Sequence, residues 1–221
     1  MHRPHTHAKE AAPETEGRLI RWAPNYDWWT HILTLGRAAA IREKTAVLAQ
    51  IKPGDVVLDV GCGTGELTLR AKNKAGSTGQ VYGIDPSPEM VGVARQKVTH
   101  GHIDVDFRVG VIEDLPFPDN YFDVVLSSLM MHHLPDDLKT RGLAEIYRVS
   151  QPGGTLMIMD FKRPTSLLAK SLITLMLHGG MQTGVQDLTA QLTTAGFGQV
   201  IMGDMGFRPL GFVRAQAQKQ E

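Results

Sequence analysis

The feature that most constrains this chain is a glycine-rich stretch, "VVLDVGCGTGELTL", which runs from Val56 to Leu69. Apolar β-formers and one acid lead into three glycines spaced G-x-G-x-G, and a predicted helix follows them. Glycines at this spacing let a ligand approach the backbone closely, and the helix N-terminus presents free N–H groups to it. The stretch therefore predicts a strand, a turn and a helix that together form a nucleotide-binding corner.

Beyond this corner, strand and helix patterns alternate along the chain. The predicted strands are 56–60, 81–85, 103–108, 123–128 and 155–161. The predicted helices are 66–75, 87–99, 136–149 and 185–195. This alternation indicates an α/β fold with a parallel sheet and helices on both faces. The last segment, "FGQVIMGDMGFRPLGFVRA", offers two strands too close in sequence for a crossover helix, so we expect them to pair antiparallel.

The composition excludes several classes of function. The 221 residues include 23 Lys and Arg against 23 Asp and Glu, so no basic surface for nucleic acid is predicted. The single cysteine, Cys62, excludes an internal disulfide and a C-x-x-C site. The apolar segment Leu167–Leu177 is shorter than the roughly 20 residues that span a bilayer. With no secretory signal visible, the sequence predicts a soluble, cytoplasmic protein.

The chain divides into three predicted regions. Residues 1–17 are polar and are expected to form a disordered tail. Residues 18–50 are expected to form an N-terminal helical lid, and residues 51–221 the main domain. No metal is predicted, because a closed site needs about four ligands in fixed geometry and the histidines of the tail are more simply solvated. Those histidines are His2, His5 and His7.

The glycine spacing argues against a dinucleotide. A G-x-G-x-x-G fingerprint needs its third glycine where this chain has Glu66, but the third glycine is Gly65. Glu66 also puts negative charge where a pyrophosphate needs positive potential, whereas an ammonium group is favoured beside Asp59 and Glu66. The pattern therefore favours a nucleoside joined to an amino acid over NAD.

A second acid, Asp85 in "VYGIDPSPEM", ends the next predicted strand. An acid at this position can accept hydrogen bonds from both hydroxyls of a ribose. The alternative is that Asp85 caps the helix that begins near Ser87. The sequence leaves both interpretations open.

Five motifs follow one another between about residues 56 and 160: "VLDVGCGTG", "GIDPSPEM", "EDLPFPDNYFDVV", "HHLPD" and "QPGGTLMIMD". They resemble the successive motifs of class I S-adenosylmethionine-dependent methyltransferases, in particular the ubiquinone/menaquinone C-methyltransferases and the small-molecule methyltransferases grouped with them. The resemblance implies a Rossmann-like sheet of seven mostly parallel strands in the order 3-2-1-4-5-7-6, with an antiparallel C-terminal hairpin. It also implies S-adenosyl-L-methionine as cofactor and S-adenosyl-L-homocysteine as product.

The same resemblance assigns cofactor contacts residue by residue. It implies that the glycine turn holds the methionine end, that Asp85 binds the ribose, and that adenine lies beside the backbone of Val111 and Ile112. Val111 stands where an aspartate is frequent in the family, so a neighbour such as Glu113 is the alternative partner for the adenine amino group. The expected cofactor residues are Asp59, Gly61, Cys62, Gly63, Thr64, Gly65, Asp85, Pro86, Met90, Val111, Ile112 and Ser128.

Two histidines, His132 and His133 in "SSLMMHHLPDD", are candidate general bases. They follow the fourth predicted strand, at the edge of the sheet where ligands bind. Methyl transfer from a sulfonium is an in-line displacement, and a base is needed only when the acceptor loses a proton. The alternative is that the pair only orders the loop before the helix that Pro135 and Asp136 open. The quinone-acting members of the family differ at these two positions, which weakens a quinone assignment.

The acceptor is predicted to be a small lipophilic or aromatic molecule. Four aromatic residues either wall its pocket or only seal the core; they are Trp22, Tyr26, Trp28 and Trp29. The apolar stretch after the fifth strand favours a lipophilic acceptor or transient contact with a membrane surface. Two alternatives remain: a phospholipid or quinone methyltransferase at the membrane, and a nucleotide-fold protein without transferase activity, either an NAD-type oxidoreductase or a binding module.

Overall fold

The computed structural model describes residues 12–17, 26–163 and 184–219. The described strands are β1 (Val56–Val60), β2 (Gln80–Asp85), β3 (Asp106–Val109), β4 (Phe122–Ser128), β5 (Ser150–Phe161), β6 (Phe197–Asp204) and β7 (Leu210–Ala217). They form one sheet in the order β3-β2-β1-β4-β5-β7-β6. The first five strands pair in parallel, and β7 lies antiparallel between β5 and β6. The predicted Rossmann-like fold, its strand order and its antiparallel hairpin are confirmed.

Helices flank this sheet. Those that the structure describes are α1 (Tyr26–Leu33), α2 (Ala38–Leu48), α3 (Glu66–Ala75), α4 (Pro88–Gly101), α5 (Asp136–Val149) and α6 (Thr189–Ala195). The predicted helix 185–195 is split, because a 3₁₀ turn at Val185–Asp187 precedes α6. Strand β5 begins earlier than predicted, since Ser150 already pairs with Phe122 before a shift in register.

Side chains of the central strands alternate between two buried faces. On β1, Leu58 packs in the cluster that contains Leu143 and Ile146 of α5, whereas Val57 packs with Leu67 of α3. The same alternation recurs on β4 and β5, which is why these strands read as nearly continuous apolar runs. Burying one such aliphatic side chain contributes roughly 1.5–3 kcal/mol. The two helical layers are therefore anchored by the strands that end at the glycine turn and at the histidines.

Helix α2 lies within residues 18–50, the range of the predicted N-terminal helical lid. Ala46 is almost fully buried and packs with Leu126 and Met157 of the sheet, while Ile41 packs with Met159. Apart from Ile41, the buried residues of α2 are small, which lets the helix lie close against the sheet and α3. Helix α2 is therefore part of the core, and residues 18–25 lie outside the described residues.

The end of the predicted disordered tail also makes specific contacts. Thr15 donates a hydrogen bond to Glu113, and Glu16 forms an ion pair with Arg141 of α5. The described residues 12–17 thus lie against the domain, whereas residues 1–11 lie outside the described part. The boundaries of the three predicted regions stay predictions.

Among the described residues, no helix combines the length and apolar character needed to cross a bilayer. The apolar segment Leu167–Leu177 lies outside the described residues. The cytoplasmic location stays a prediction.

The position of α2 predicts losses of stability of very different size for two neighbouring substitutions. Ala46→Asp places a charge in the core and should lower the free energy of unfolding by about 3 kcal/mol or more. Val47→Asp adds the same charge at an exposed side chain of the same helix and should cost less than about 1 kcal/mol. Urea denaturation measures both, and equal losses would show that α2 is not a core helix.

Candidate active site

The described residues form one broad pocket at the carboxyl ends of β1, β2, β3 and β4, where ligands bind in sheets of this topology. Asp85 and Glu113 line it, and none of its described lining residues is Lys or Arg. A diphosphate would meet two carboxylates and no cationic side chain there, whereas a cationic ligand is electrostatically favoured. The lining residues are Thr15, Gly17, Val60, Gly61, Gly63, Ile84, Asp85, Pro86, Met90, Gly110, Val111, Ile112, Glu113, Ser128, Leu129, Met130, His133 and Leu134.

The glycine turn forms the floor of this pocket. The backbone N–H of Gly61 and that of Cys62 both donate to the carbonyl of Ile84, at 2.8 and 3.0 Å, which ties the turn to the end of β2. Gly61 has φ +74°, and a Cβ built on it would lie 2.9 Å from Met130 Cβ on the opposite wall. A side chain at Gly61 would therefore be strained and would collide with Met130. The turn keeps bare backbone at the floor.

Four of the motif residues expected at the cofactor do not line the pocket. Asp59 points to the α3 face of β1, where its Oδ2 accepts a hydrogen bond from Thr68 at 2.6 Å. Cys62 is buried against Val91 and Ala94 of α4. None of the four is among the described lining residues, and their contact with the cofactor stays a prediction. The four residues are Asp59, Cys62, Thr64 and Gly65.

Glu66 also differs from expectation. It forms an ion pair with Lys97 of α4 at 2.7 Å and does not line the pocket. Its charge is thus compensated by α4, so it does not supply the negative potential that the sequence predicts for it. The acids that face the pocket are Asp85 and Glu113.

Asp85 lies where the sequence predicts a ribose-binding acid. Its Oδ2 accepts the N–H of Gly63 and its Oδ1 accepts the N–H of Ser87, both at 2.9 Å. Burial raises the pKa of this carboxyl, and the two N–H donors partly offset the rise. Ser87, and not Asp85, caps the N-terminus of α4, because the Ser87 hydroxyl accepts the N–H of Met90. Each Asp85 oxygen keeps a further lone pair for a ligand hydroxyl.

The β2–β3 end of the pocket has an apolar character. Pro86, Met90, Val111 and Ile112 all line it, as predicted for an adenine subsite. The side chain of Ile112 is directed into the core, because a Cβ added at Gly142 of α5 would lie only 2.6 Å from its Cδ1. Ile112 therefore offers the pocket mainly its backbone.

The opposite wall follows β4. Ser128 lines the pocket as predicted, and Leu129 next to it has φ +53° with its N–H donated to the Met159 carbonyl at 2.8 Å. A left-handed conformation at leucine is uncommon and marks a turn that its surroundings hold in place. Leu129, Met130 and Leu134 give this wall its apolar surface. The sequence analysis did not predict these three residues. A continuous apolar run does not show where the strand ends, and therefore which side chains lie beyond its end at the pocket.

The two candidate histidines occupy different positions. His133 lines the pocket, whereas His132 lies behind it with its side chain about 5% exposed. The Nδ1 of His132 lies 2.7 Å from Asp160 Oδ1, and its backbone N–H donates to Oδ2. Because a carboxylate only accepts, Nδ1 of His132 carries the proton. The ring centroids of the two histidines are 3.9 Å apart, so the Asp160–His132 pair buttresses His133.

The structure describes the side chains of only some of the aromatic residues expected at the acceptor. Trp28 of α1 is more than half exposed and is not among the described lining residues of the pocket, and its predicted role at the acceptor stays a prediction. Tyr26 and Trp29 lie on the same helix, but their side chains are outside what the structure describes, as is Trp22 altogether.

Fold and pocket together define a Rossmann-like domain whose pocket, at the carboxyl edge of the sheet, has two carboxylates and no Lys or Arg among its described lining residues. A family model for a methyltransferase domain matches residues 57–154. The ubiquinone/menaquinone biosynthesis C-methyltransferase UbiE of Hydrogenovibrio crunogenus is 36% identical over 166 residues, covering 74% of this chain and 65% of that protein. The chain thus spans slightly less than two thirds of this relative.

Two solved structures are also similar. A SAM-dependent methyltransferase from Aquifex aeolicus shares 25% identity at a TM-score of 0.62, with 85% of this chain and 97% of that chain covered. The [4+2]-cyclase SpnF shares 22% identity at a TM-score of 0.68, with 83% and 82% covered, which shows the fold alone. The methyltransferase domain matched at residues 57–154 is that of the class I S-adenosylmethionine-dependent methyltransferases.

The residues present fit S-adenosylmethionine, the cofactor of this class. Bare backbone at Gly61 and Gly63 leaves room for close approach, Asp85 has spare acceptor capacity for ribose hydroxyls, and the pocket carries acids without Lys or Arg. The contact of each expected residue with the cofactor stays a prediction.

The burial of Asp59 predicts a pH-dependent stability. Burial raises the pKa of Asp59 to about 7, and neighbouring Asp85 adds to the rise while Thr68 and Arg42 oppose it. Between about pH 4 and 7 the folded state then holds a proton that the unfolded state has released, so stability falls as pH rises through this range. The slope from this one group approaches about 1.4 kcal/mol per pH unit.

Asp59→Asn mimics the protonated acid and should remove this contribution. Its free energy of unfolding, measured by urea denaturation from pH 4 to 8, should increase relative to that of the wild type as pH rises. Asp104→Asn, at an exposed carboxylate, is the control and should keep a constant difference from the wild type. A constant difference for Asp59→Asn as well would contradict the assigned pKa.

Proposed function

We propose that this chain transfers a methyl group from S-adenosylmethionine to a small-molecule acceptor that loses a proton during the reaction. The observation that carries the proposal is a pocket with a bare glycine floor, a buried acid at the end of β2 and a histidine on the opposite wall. A nucleoside sulfonium suits the first two features, and a proton-losing acceptor suits the third.

The binding roles follow from the positions of the side chains. Gly61 and Gly63 admit the methionine end, and Asp85 accepts the ribose hydroxyls with the lone pairs left by Gly63 and Ser87. Pro86 and Met90 face the backbone of Val111 across the adenine subsite, and Ser128 borders the ribose end. The bound sulfonium supplies an electrophilic methyl group with a neutral thioether as leaving group.

His133 is the proposed general base. It lies on the pocket wall, whereas His132 is a positioning residue that is held by Asp160 and whose ring contacts that of His133. His133 takes the proton from the acceptor oxygen or carbon as that atom forms its bond to the methyl group and the methyl–sulfur bond breaks. Burial of Asp160 and its three N–H partners keep the His132 ring in one orientation.

The proposed acceptor class is lipophilic and aromatic. Leu129, Met130 and Leu134 give the wall beside His133 an apolar surface, and a phenol or hydroquinone carries the acidic proton that His133 would remove. A second candidate is C-methylation of a quinone precursor, which the printed name of the UbiE relative favours. Transient membrane contact falls on residues 164–183, outside the described residues, and vesicle co-sedimentation tests it. A cytoplasmic site of action is part of the same proposal.

Calorimetry distinguishes this proposal from its nucleotide-fold alternatives. S-adenosylhomocysteine should bind with micromolar or better affinity and NAD should not bind measurably, because the pocket has two carboxylates and no described cationic side chain. Labelled methyl donor with a panel of phenols, prenylated hydroquinones and phosphatidylethanolamine vesicles then identifies the acceptor by product mass. Preferential binding of NAD would refute the methyltransferase function.

The role of His133 predicts an effect that depends on the acceptor. His133→Ala should lower kcat about 10²- to 10⁴-fold on an acceptor that must be deprotonated. It should lower kcat much less on an acidic phenol that is already ionised at the assay pH. His100→Ala, at an exposed histidine of α4, is the control and should match the wild type. An equal loss on both acceptors would mean that His133 is not the base.

A further inference from the structure

Met130 lies between the glycine turn and the candidate base. Its side chain lies on Gly61, because a Cβ built on that glycine would be only 2.9 Å from Met130 Cβ and closer still to Met130 Cγ. The carbonyl of Met130 accepts the backbone N–H of His133 at 2.9 Å. All three residues line the pocket. Met130 therefore joins the floor of the pocket to the wall that carries His133.

The backbone around Met130 is fixed on both sides. The N–H of Leu129 donates to a carbonyl of β5 at 2.8 Å, and the N–H of His132 donates to Asp160 Oδ2 at 3.1 Å. Met131, the next residue along the chain, is buried among the core side chains. Because these contacts hold the backbone in place, only the side-chain torsions of Met130 are left to adjust to a ligand.

A methionine at this position gives the pocket an apolar and adaptable surface. Its side chain is unbranched, has three rotatable bonds and ends in a polarisable thioether. It is only partly buried, since it packs against the core on one side and borders the pocket on the other. Gly61 is fixed opposite to it by a φ of +74° and by the bond from its N–H to the Ile84 carbonyl. The size of the Met130 side chain therefore sets the space between floor and wall.

The proposed reaction takes place across this space. The methionine end of the cofactor is assigned to Gly61 and Gly63, and the acceptor gives its proton to His133 on the wall. The transferred methyl group then moves from the floor toward the wall, beside Met130. An in-line displacement needs the reacting atoms about 3–3.5 Å apart and aligned, so a side chain at this point restricts what fits between them.

We propose that Met130 is the specificity-determining residue of this pocket, because its side chain limits the size of the group that lies between the cofactor sulfur and His133. This inference rests on the proposed function, since it needs the cofactor bound at the glycine turn. Met130 forms no bond in the reaction and moves no proton. It excludes acceptors that carry a bulky group next to the methylated atom, because overpacking this space strains the pocket.

Selectivity between two stable cofactor analogues measures this limit without an acceptor. Both analogues carry a nitrogen in place of the sulfonium. One bears a methyl group on that nitrogen, and the other bears a benzyl group that reaches toward His133. Calorimetry should show that the wild type binds the methyl analogue about 10- to 100-fold more tightly. Met130→Ala should bring the two affinities to within about 3-fold of each other.

Three further variants locate the effect. Met130→Leu nearly conserves the side-chain volume and should keep the wild-type preference. Met202→Ala, at an exposed methionine of β6, is the matched control and should also keep it. Leu134→Ala enlarges the same pocket at another point of its lining and should change the preference by less than about 3-fold. If Met130 were merely structural, its loss would change both affinities together and leave their ratio unchanged.

The outcomes separate the two proposals. If the wild type binds neither S-adenosylhomocysteine nor the methyl analogue, the proposed function fails and this inference fails with it. If the wild type binds both analogues equally, if Met130→Ala keeps the preference, or if Leu134→Ala removes it as fully, the proposed function stands and the role of Met130 is refuted. Circular dichroism melting identifies any loss of fold. Met130→Val also shortens the side chain and gives an independent reading should Met130→Ala not fold.

Discussion

Asp85 holds together the two halves of the nucleotide site. One of its oxygens accepts the N–H of Gly63 in the glycine turn, and the other accepts the N–H of Ser87 at the start of α4. The turn is also tied to β2 through the Ile84 carbonyl. Because these bonds fix the backbone before any ligand arrives, the pocket is preorganised, and little conformational entropy is lost when a ligand binds.

The acidic side chains near Asp85 lie on two different sides of β1. Asp59 faces α3 and Thr68, away from the pocket, and Glu66 is neutralised by Lys97. Only Asp85 and Glu113 direct carboxylates to the ligand side among the described residues. The carboxylates that line the pocket thus follow β2 and β3, one and two strands away from the glycine motif, and do not belong to that motif.

The candidate chemistry lies where β4 and β5 end side by side. Asp160 at the end of β5 holds His132 after the end of β4, and the ring of His132 contacts that of His133. His132 and His133 are neighbours in one 3₁₀ turn but have different roles: His132 supports the ring of His133, and His133 is the candidate base. Residues 12–17 and Leu134 lie on the other side of the pocket, so its described lining combines the N-terminal segment with residues that follow β1 to β4.

The sequence by itself determined the strand–turn–helix corner, the parallel sheet and its antiparallel ending, because alternating burial and left-handed glycines are properties of the local backbone. It also located Asp85 and the pair His132 and His133. Only the tertiary structure decided which of two adjacent histidines faces the ligand, and that Thr15 meets Glu113. Those facts depend on packing between segments far apart in the chain, where direction is set by shape and by buried hydrogen bonds that no local pattern records.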